Sequence, residues 1–129
     1  MKSYPKPMLD PVPTTVPVAV AYVRVAAFSQ AAPRSRLDAQ AATIRRFADA
    51  AGIKLVRIFE DLGESAHNMR RPGLLALLAA VNAGSADVVL VADLSRLARN
   101  MDVLHRLIRF FDRRGVRLVC AAALRGGGV

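Results

Sequence analysis

Four arginines carry the most chemistry in this chain. Arg24 lies near the end of the apolar run Val18-Ala-Val-Ala-Tyr-Val-Arg-Val-Ala26. Arg71 stands immediately before Pro72, and Arg96 and Arg99 follow a second apolar run at residues 87–92. A guanidinium group is planar, permanently charged and able to form two parallel bonds to a phosphate. Several such forks around one phosphodiester would hold it and oppose the charge that builds on oxygen during phosphoryl transfer. The spacing of three between Arg96 and Arg99 puts both on one side if their segment is helical. Spacing alone is equally compatible with four separate surface cations.

The elements around these residues decide whether they can meet. Residues 18–26 are apolar at nearly every position, the pattern of a strand buried on both faces of a parallel sheet. Residues 27–34 break that pattern and read as a loop. Ser35, with Asp38 three residues on, is placed to cap a helix whose stripe is Leu37, Ala41, Ile44, Ala48 and Ala51, widened by Phe47. Gly52 ends it. Residues 53–59 read as a second strand and residues 60–71 as a mobile loop. Pro72 suits a helix start, where its missing N–H costs nothing. Leu74, Leu75, Leu77, Leu78 and Val81 are expected on its buried side, with Gly84 as its stop.

Residues 87–92 predict a third strand and residues 93–99 its exit segment. Asn100 or Asp102 can cap the next helix, with Val103, Leu104, Leu107, Ile108 and Phe111 inward and Arg106, Arg109, Arg113 and Arg114 mostly outward. Gly115 stops it, and residues 116–121 form a fourth strand. Helices between apolar strands imply an α/β fold, with a mainly parallel sheet of four to five strands flanked by helices in three layers. Open sheets of this class bind ligands at the carboxyl ends of their strands. Arg24, Arg96 and Arg99 fall at such ends, and Arg71 is placed to swing over the same edge.

The composition sets the partner class. The chain has 129 residues, enough for one domain, with 19 Lys plus Arg against 10 acidic residues and a net charge of +9. Most of the cations are arginine, which favours a polyanion, with nucleic acid the first expectation. Cys120 is the only cysteine, so no internal disulfide and no Cys-based metal site can form, and it reads as a buried strand residue. His67 and His105 are too few and too far apart for a metal signature. No apolar stretch suits a bilayer span. Residues 1–15 are Pro-rich and read as a loose arm, not a signal peptide. Residues 16–129 are expected to form the folded domain, with a cytoplasmic, nucleoid-associated location.

Tyr22-Val-Arg24-Val-Ala26 followed by Gln30 resembles the opening motif of the serine recombinases, the resolvases and invertases. Leu37-Asp-Ala-Gln40 is similar to that family's first-helix signature. Glu60-Asp61-Leu-Gly-Glu-Ser65 and Arg71-Pro-Gly73-Leu resemble its mobile loop and second helix. The segment from Asp87, with Leu94-Ser-Arg96-Leu-Ala-Arg99, resembles its third strand and arginine segment. The four motifs occur in the family's order across about residues 18–121.

The resemblance implies a resolvase-like catalytic domain that cleaves and rejoins DNA through a phosphoserine link, with neither metal nor nucleotide cofactor. By the same resemblance, Arg24, Arg71, Arg96 and Arg99 are the catalytic arginines. Tyr22, Gln30, Asp61 and Ser65 shape or support the site. The implied partners are DNA and either a second copy or a full-length recombinase.

Three departures bear on activity. Ala26 stands where the family places its nucleophilic serine, and a methyl group cannot attack phosphorus. Ser95 stands where the family usually carries aspartate, and Ala66 replaces a glycine. The chain is also expected to stop before the family's long dimerisation helix and DNA-binding domain. Two readings follow: a recombinase catalytic domain inactive in strand cleavage, or a non-catalytic DNA-binding or regulatory module that pairs with a full-length recombinase. A small-molecule α/β enzyme is disfavoured, because no Gly-rich phosphate or dinucleotide loop follows a strand.

Overall fold

A computed structural model describes residues 15–25, 33–62 and 71–122. The elements run β1 (Val18–Val25), α1 (Pro33–Ala51), β2 (Lys54–Leu62), α2 (Pro72–Asn82), β3 (Val88–Val91), a 3₁₀ turn (Leu94–Arg96), α3 (Met101–Arg113) and β4 (Arg117–Cys120). The four strands form one sheet in the order β2-β1-β3-β4, and every described pairing is parallel. The expected α/β class and parallel sheet are therefore present, with four strands among the described residues.

The two-residue period of β1 sorts its side chains onto the two faces. Ala19, Ala21, Val23 and Val25 pack with Leu37, Ile44 and Ala48 of α1. Val20 and Tyr22 pack on the other face with Leu74, Leu77 and Val81 of α2 and Leu104, Leu107 and Phe111 of α3. Small alanines on the first face let α1 approach closely, whereas the second face is filled by larger side chains. Arg24 shares the parity of Tyr22 and so falls on the side of α2.

Several boundaries differ from the sequence expectation. Helix α1 is already in place at Pro33, so Ser35 lies inside its first turn and is not its cap. Pro33 itself supplies the preset backbone angle of a helix start. Arg34, read as loop, instead forms a two-pronged contact with Glu60 at 3.0 and 2.7 Å and pairs with Asp38 at 3.3 Å. Ala51 is exposed, and Gln40 takes a place in the buried stripe. Strand β2 continues to Leu62, because the polar residues Glu60 and Asp61 remain in register with Val23 and Arg24 of β1.

In α2 the buried arc is Leu74, Leu77 and Val81, while Leu75 is 51% exposed. The helix is apolar nearly all round, so its sequence does not single out one face. Asn100, not Asp102, caps α3, accepting from the Asp102 and Val103 backbone N–H groups at 2.7 and 3.2 Å. Cys120 is only partly buried, because β4 is an edge strand. Gly52, Gly84 and Gly115 follow α1, α2 and α3 with φ of 71°, 80° and 69°. They provide the expected helix stops, since positive φ is costly for residues with a Cβ.

Candidate phosphate-binding site at the carboxyl edge of the sheet

Strand β3 is shorter than β1, and their last paired residues are Tyr22 and Val91. The final residues of β1 therefore project past β3. The chain leaving β3 turns there through Asp93–Leu97, which places Arg96 beside Arg24. Asp93 shapes the turn by accepting from the Ser95 backbone N–H at 3.0 Å and from the Ser95 hydroxyl. Its other oxygen lies 3.6 Å from Arg96 Nε. Ser95 is thus tied to Asp93, and its carbonyl faces the arginine cluster.

Three of the four arginines interlock. Arg24 is 6% exposed, and its guanidinium donates to the carbonyls of Arg96 and Ser95 at 3.2 and 3.3 Å. Arg96 reciprocates, donating from Nη1 to the Arg24 carbonyl at 3.3 Å. Arg71 is fully buried and donates to the Arg96 carbonyl at 3.0 Å, to the Leu97 carbonyl and to the Tyr22 hydroxyl at 3.4 Å. Arg71 thus lies beneath the turn that carries Arg96, not over the edge. Nε of Arg71 and Nε of Arg96 are buried without a hydrogen-bond acceptor among the described residues. Arg99 lies exposed at the rim.

The electrostatics follow from this crowding. Burial holds the Arg24 guanidinium below its usual range, and the charges of Arg71, Arg96 and Arg99 add to that effect. All four cations therefore act on one small region. An anion there would relieve their mutual repulsion while gaining charge-assisted hydrogen bonds.

Asp61 supports the cluster from β2. Its carboxylate accepts from the Tyr22 hydroxyl at 2.7 Å and from the backbone N–H groups of Gly73 and Leu74 at 2.7 and 2.9 Å. Arg71, at the cap position of α2, makes no side-chain cap bond. The neighbouring strand therefore supplies the acceptor that the helix start requires. Tyr22 in turn contacts Arg71, whose guanidinium carbon lies 5.6 Å from the ring centroid. Burial and the bond to Asp61 push the Tyr22 phenol well above its ordinary range.

Two further residues belong to this arrangement. Gln40 reaches from α1 to donate to the Arg24 carbonyl at 2.9 Å and accepts from the Arg24 N–H at 3.2 Å. A buried glutamine within the apolar stripe Leu37, Ile44, Ala48 was the available sequence signal. Asp93 is the second, flagged by its place one turn before Arg96. Of the residues singled out from sequence, the fold brings together Tyr22, Arg24, Asp61, Arg71, Ser95 and Arg96. Ala26, Gln30 and Ser65 lie outside the described residues, as does Ala66. Among the described residues, no group of three or more His, Cys, Asp or Glu is placed to hold a metal ion. No described helix is long and apolar enough to cross a membrane.

Comparison with known proteins bears on the same region. Residues 19–125 match the family described as Resolvase, N terminal domain. The chain is 33% identical over 99 residues to the Transposon Tn21 resolvase of Escherichia coli, covering 77% of this chain and 44% of that protein. It is 36% identical over 99 residues to the Transposon Tn501 resolvase of Pseudomonas aeruginosa, with the same coverage. It therefore spans less than half the length of these relatives. Among solved structures it is similar to the C-terminal catalytic domain of ISC1926 TnpA, an IS607-like serine recombinase. That TM-score is 0.72 at 32% identity, covering 81% of this chain and 70% of the other. The N-terminal catalytic domain of TP901-1 integrase gives a TM-score of 0.73 at 26% identity, covering 81% and 77%. With nearly the whole chain matched, this protein belongs to the resolvase N-terminal domain family, the catalytic-domain family of the serine recombinases.

Proposed function

We propose that this chain is the catalytic-domain part of a site-specific DNA recombinase, that it binds a DNA backbone phosphate at its arginine edge, and that it does not cleave DNA. The interlocked set of Arg24, Arg71 and Arg96 carries the binding half of this reading. Arg96 and Arg99 are the accessible members and contact the phosphate. Arg24 adds its charge from below them. Arg71 is a positioning residue, because its donors are engaged with the backbone that presents Arg96. Tyr22, Asp61 and Ser95 maintain that backbone geometry. Gln30 and Ser65 are assigned supporting roles by family resemblance.

Ala26 carries the second half. Strand cleavage of the family type needs an oxygen that attacks phosphorus, and a methyl group has none. The arginines alone stabilise charge and supply no bond-forming atom. No metal or nucleotide enters this scheme, since a phosphoserine link would conserve the energy of the broken ester. The same substitution favours a second reading, a module that binds DNA or pairs with a full-length recombinase without cutting. Its partners would be DNA and another recombinase chain, in the cytoplasm or on the nucleoid. Residues 1–15 would act as an arm outside the domain formed by residues 16–129.

Fluorescence anisotropy of a labelled duplex separates these ideas. The chain should bind weakly, with affinity falling steeply as salt rises, and Arg96→Gln with Arg99→Gln should weaken binding at least about tenfold. Undiminished binding by that folded double variant would remove the assigned phosphate site. Binding of a full-length recombinase without any affinity for duplex would favour the pairing module.

A further inference from the structure

We infer that the outward face of α3 is a second DNA contact, a track of arginines that holds duplex flanking the phosphate at the sheet edge. The inference rests on the DNA-binding reading above and adds a surface that the site itself does not need. Leu104, Leu107 and Phe111 turn into the core, and this fixes which side of α3 meets solvent. Arg106, Arg109 and Arg113 lie on the opposite side and are all exposed. Their spacing of three and then four stacks them along one stripe.

These three cations are not committed elsewhere. Among the described residues, none of their guanidinium groups takes part in an ion pair. Arg114 differs, because it donates to Asn82 Oδ1 and to the Phe110 carbonyl, both at 3.0 Å, and stacks 3.6 Å above the Phe110 ring. It joins helix ends and is left out of the track. Asp102 and Asp112 are exposed near the stripe and reduce its net charge. They also favour discrete phosphate contacts over a diffuse positive field.

The track is continuous with the site. Asn100 caps α3 directly after Arg96 and Arg99, so the helix begins at the arginine edge and runs away from it. Arg106 to Arg113 spans about 10 Å at the helical rise of about 1.5 Å per residue. That matches about three base-pair steps of duplex. Arginine at all three positions suits phosphate recognition better than lysine would. Such contacts position a duplex and do not read its sequence.

The test compares the whole chain with Arg106→Gln, Arg109→Gln and Arg113→Gln combined, on a 30-base-pair duplex at several salt concentrations. A thermal melt checks that the variant is folded, as expected for exposed positions. The logarithmic salt dependence of binding should flatten by about 2 to 3, at about 0.9 per lost phosphate contact. An unchanged slope, with binding still sensitive to Arg96→Gln, would overturn the track and leave the phosphate site standing. Absence of duplex binding by the unaltered chain would overturn both. A poly-glutamate peptide bound more tightly than duplex, and lost in the triple variant, would assign the face to an acidic protein and overturn the inference.

Discussion

Asp61 caps the helix that begins beside Gly73: its Oδ1 accepts from the Gly73 N–H at 2.7 Å across the gap between β2 and α2. The approach is so close that a Cβ at residue 73 would lie 2.2 Å from the Glu60 carbonyl oxygen and 2.9 Å from Asp61 Oδ2. Glycine is required here by space. Gly73→Ala must push α2 off β2, and with it Arg71 and the turn above. We expect a stability loss of about 2 kcal/mol or more in a denaturant melt. A variant as stable as the parent would show that the strand and helix are not in this contact.

Tyr22 is protected from ionisation by burial and by its bond to Asp61. The unfolded chain releases this proton near the ordinary value of 10.0, before the folded chain does. The stabilisation is therefore complete below that pH and declines above it. Absorbance titration should show Tyr22 resisting ionisation until the protein unfolds. Tyr22→Phe should abolish the resistant phase and cost about 1 to 2 kcal/mol, through the lost donor to Asp61. Ionisation of Tyr22 near the ordinary value of 10.0 in the folded protein would contradict the buried bond.

Gln40 links α1 to the backbone of Arg24 with two hydrogen bonds. Gln40→Ala removes the side-chain acceptor of the Arg24 N–H, while the Arg24 carbonyl keeps Arg96 Nη1. The expected cost is about 1 to 3 kcal/mol, with weaker duplex binding because Arg24 is less firmly held. An unchanged melt together with unchanged binding would remove Gln40 from the site.

The Cys120 thiol is pushed up by burial and by the nearby charge of Asp93. It should therefore carry less thiolate near neutral pH than a free thiol. Alkylation by iodoacetamide at pH 8 should be several-fold slower than for an unstructured cysteine peptide and should accelerate on denaturation. Equal rates would place the thiol in open solvent.

Much of this arrangement was legible from residue pattern. The nearly unbroken apolar run of residues 18–26 marked β1 as a strand buried on both faces, and Pro72 with Gly84 bounded α2 within two residues. What stayed hidden depended on partners distant in sequence. Asp61 reads as loop because it is polar, yet three donors from β1 and α2 satisfy it inside the fold. Arg71 reads as a cation placed to swing over the sheet edge, yet backbone carbonyls from residues 96 and 97 allow it to be buried beneath the turn. Leu75 reads as core because nothing in an all-apolar helix marks its outer side. Composition and period report local preference, whereas these placements depend on which turn lands beside which strand.

The central claim is an arginine site for a DNA phosphate without an attacking oxygen. It is tested most directly by looking for a covalent protein–DNA bond. The chain would be incubated with supercoiled plasmids carrying candidate recombination sites cloned from DNA flanking its gene, quenched with detergent and analysed by gel and mass spectrometry. The account predicts intact supercoiled DNA and no adduct, with non-covalent binding retained at low salt. A phosphodiester adduct mapped to any residue of this chain, Ser65 included, would contradict it.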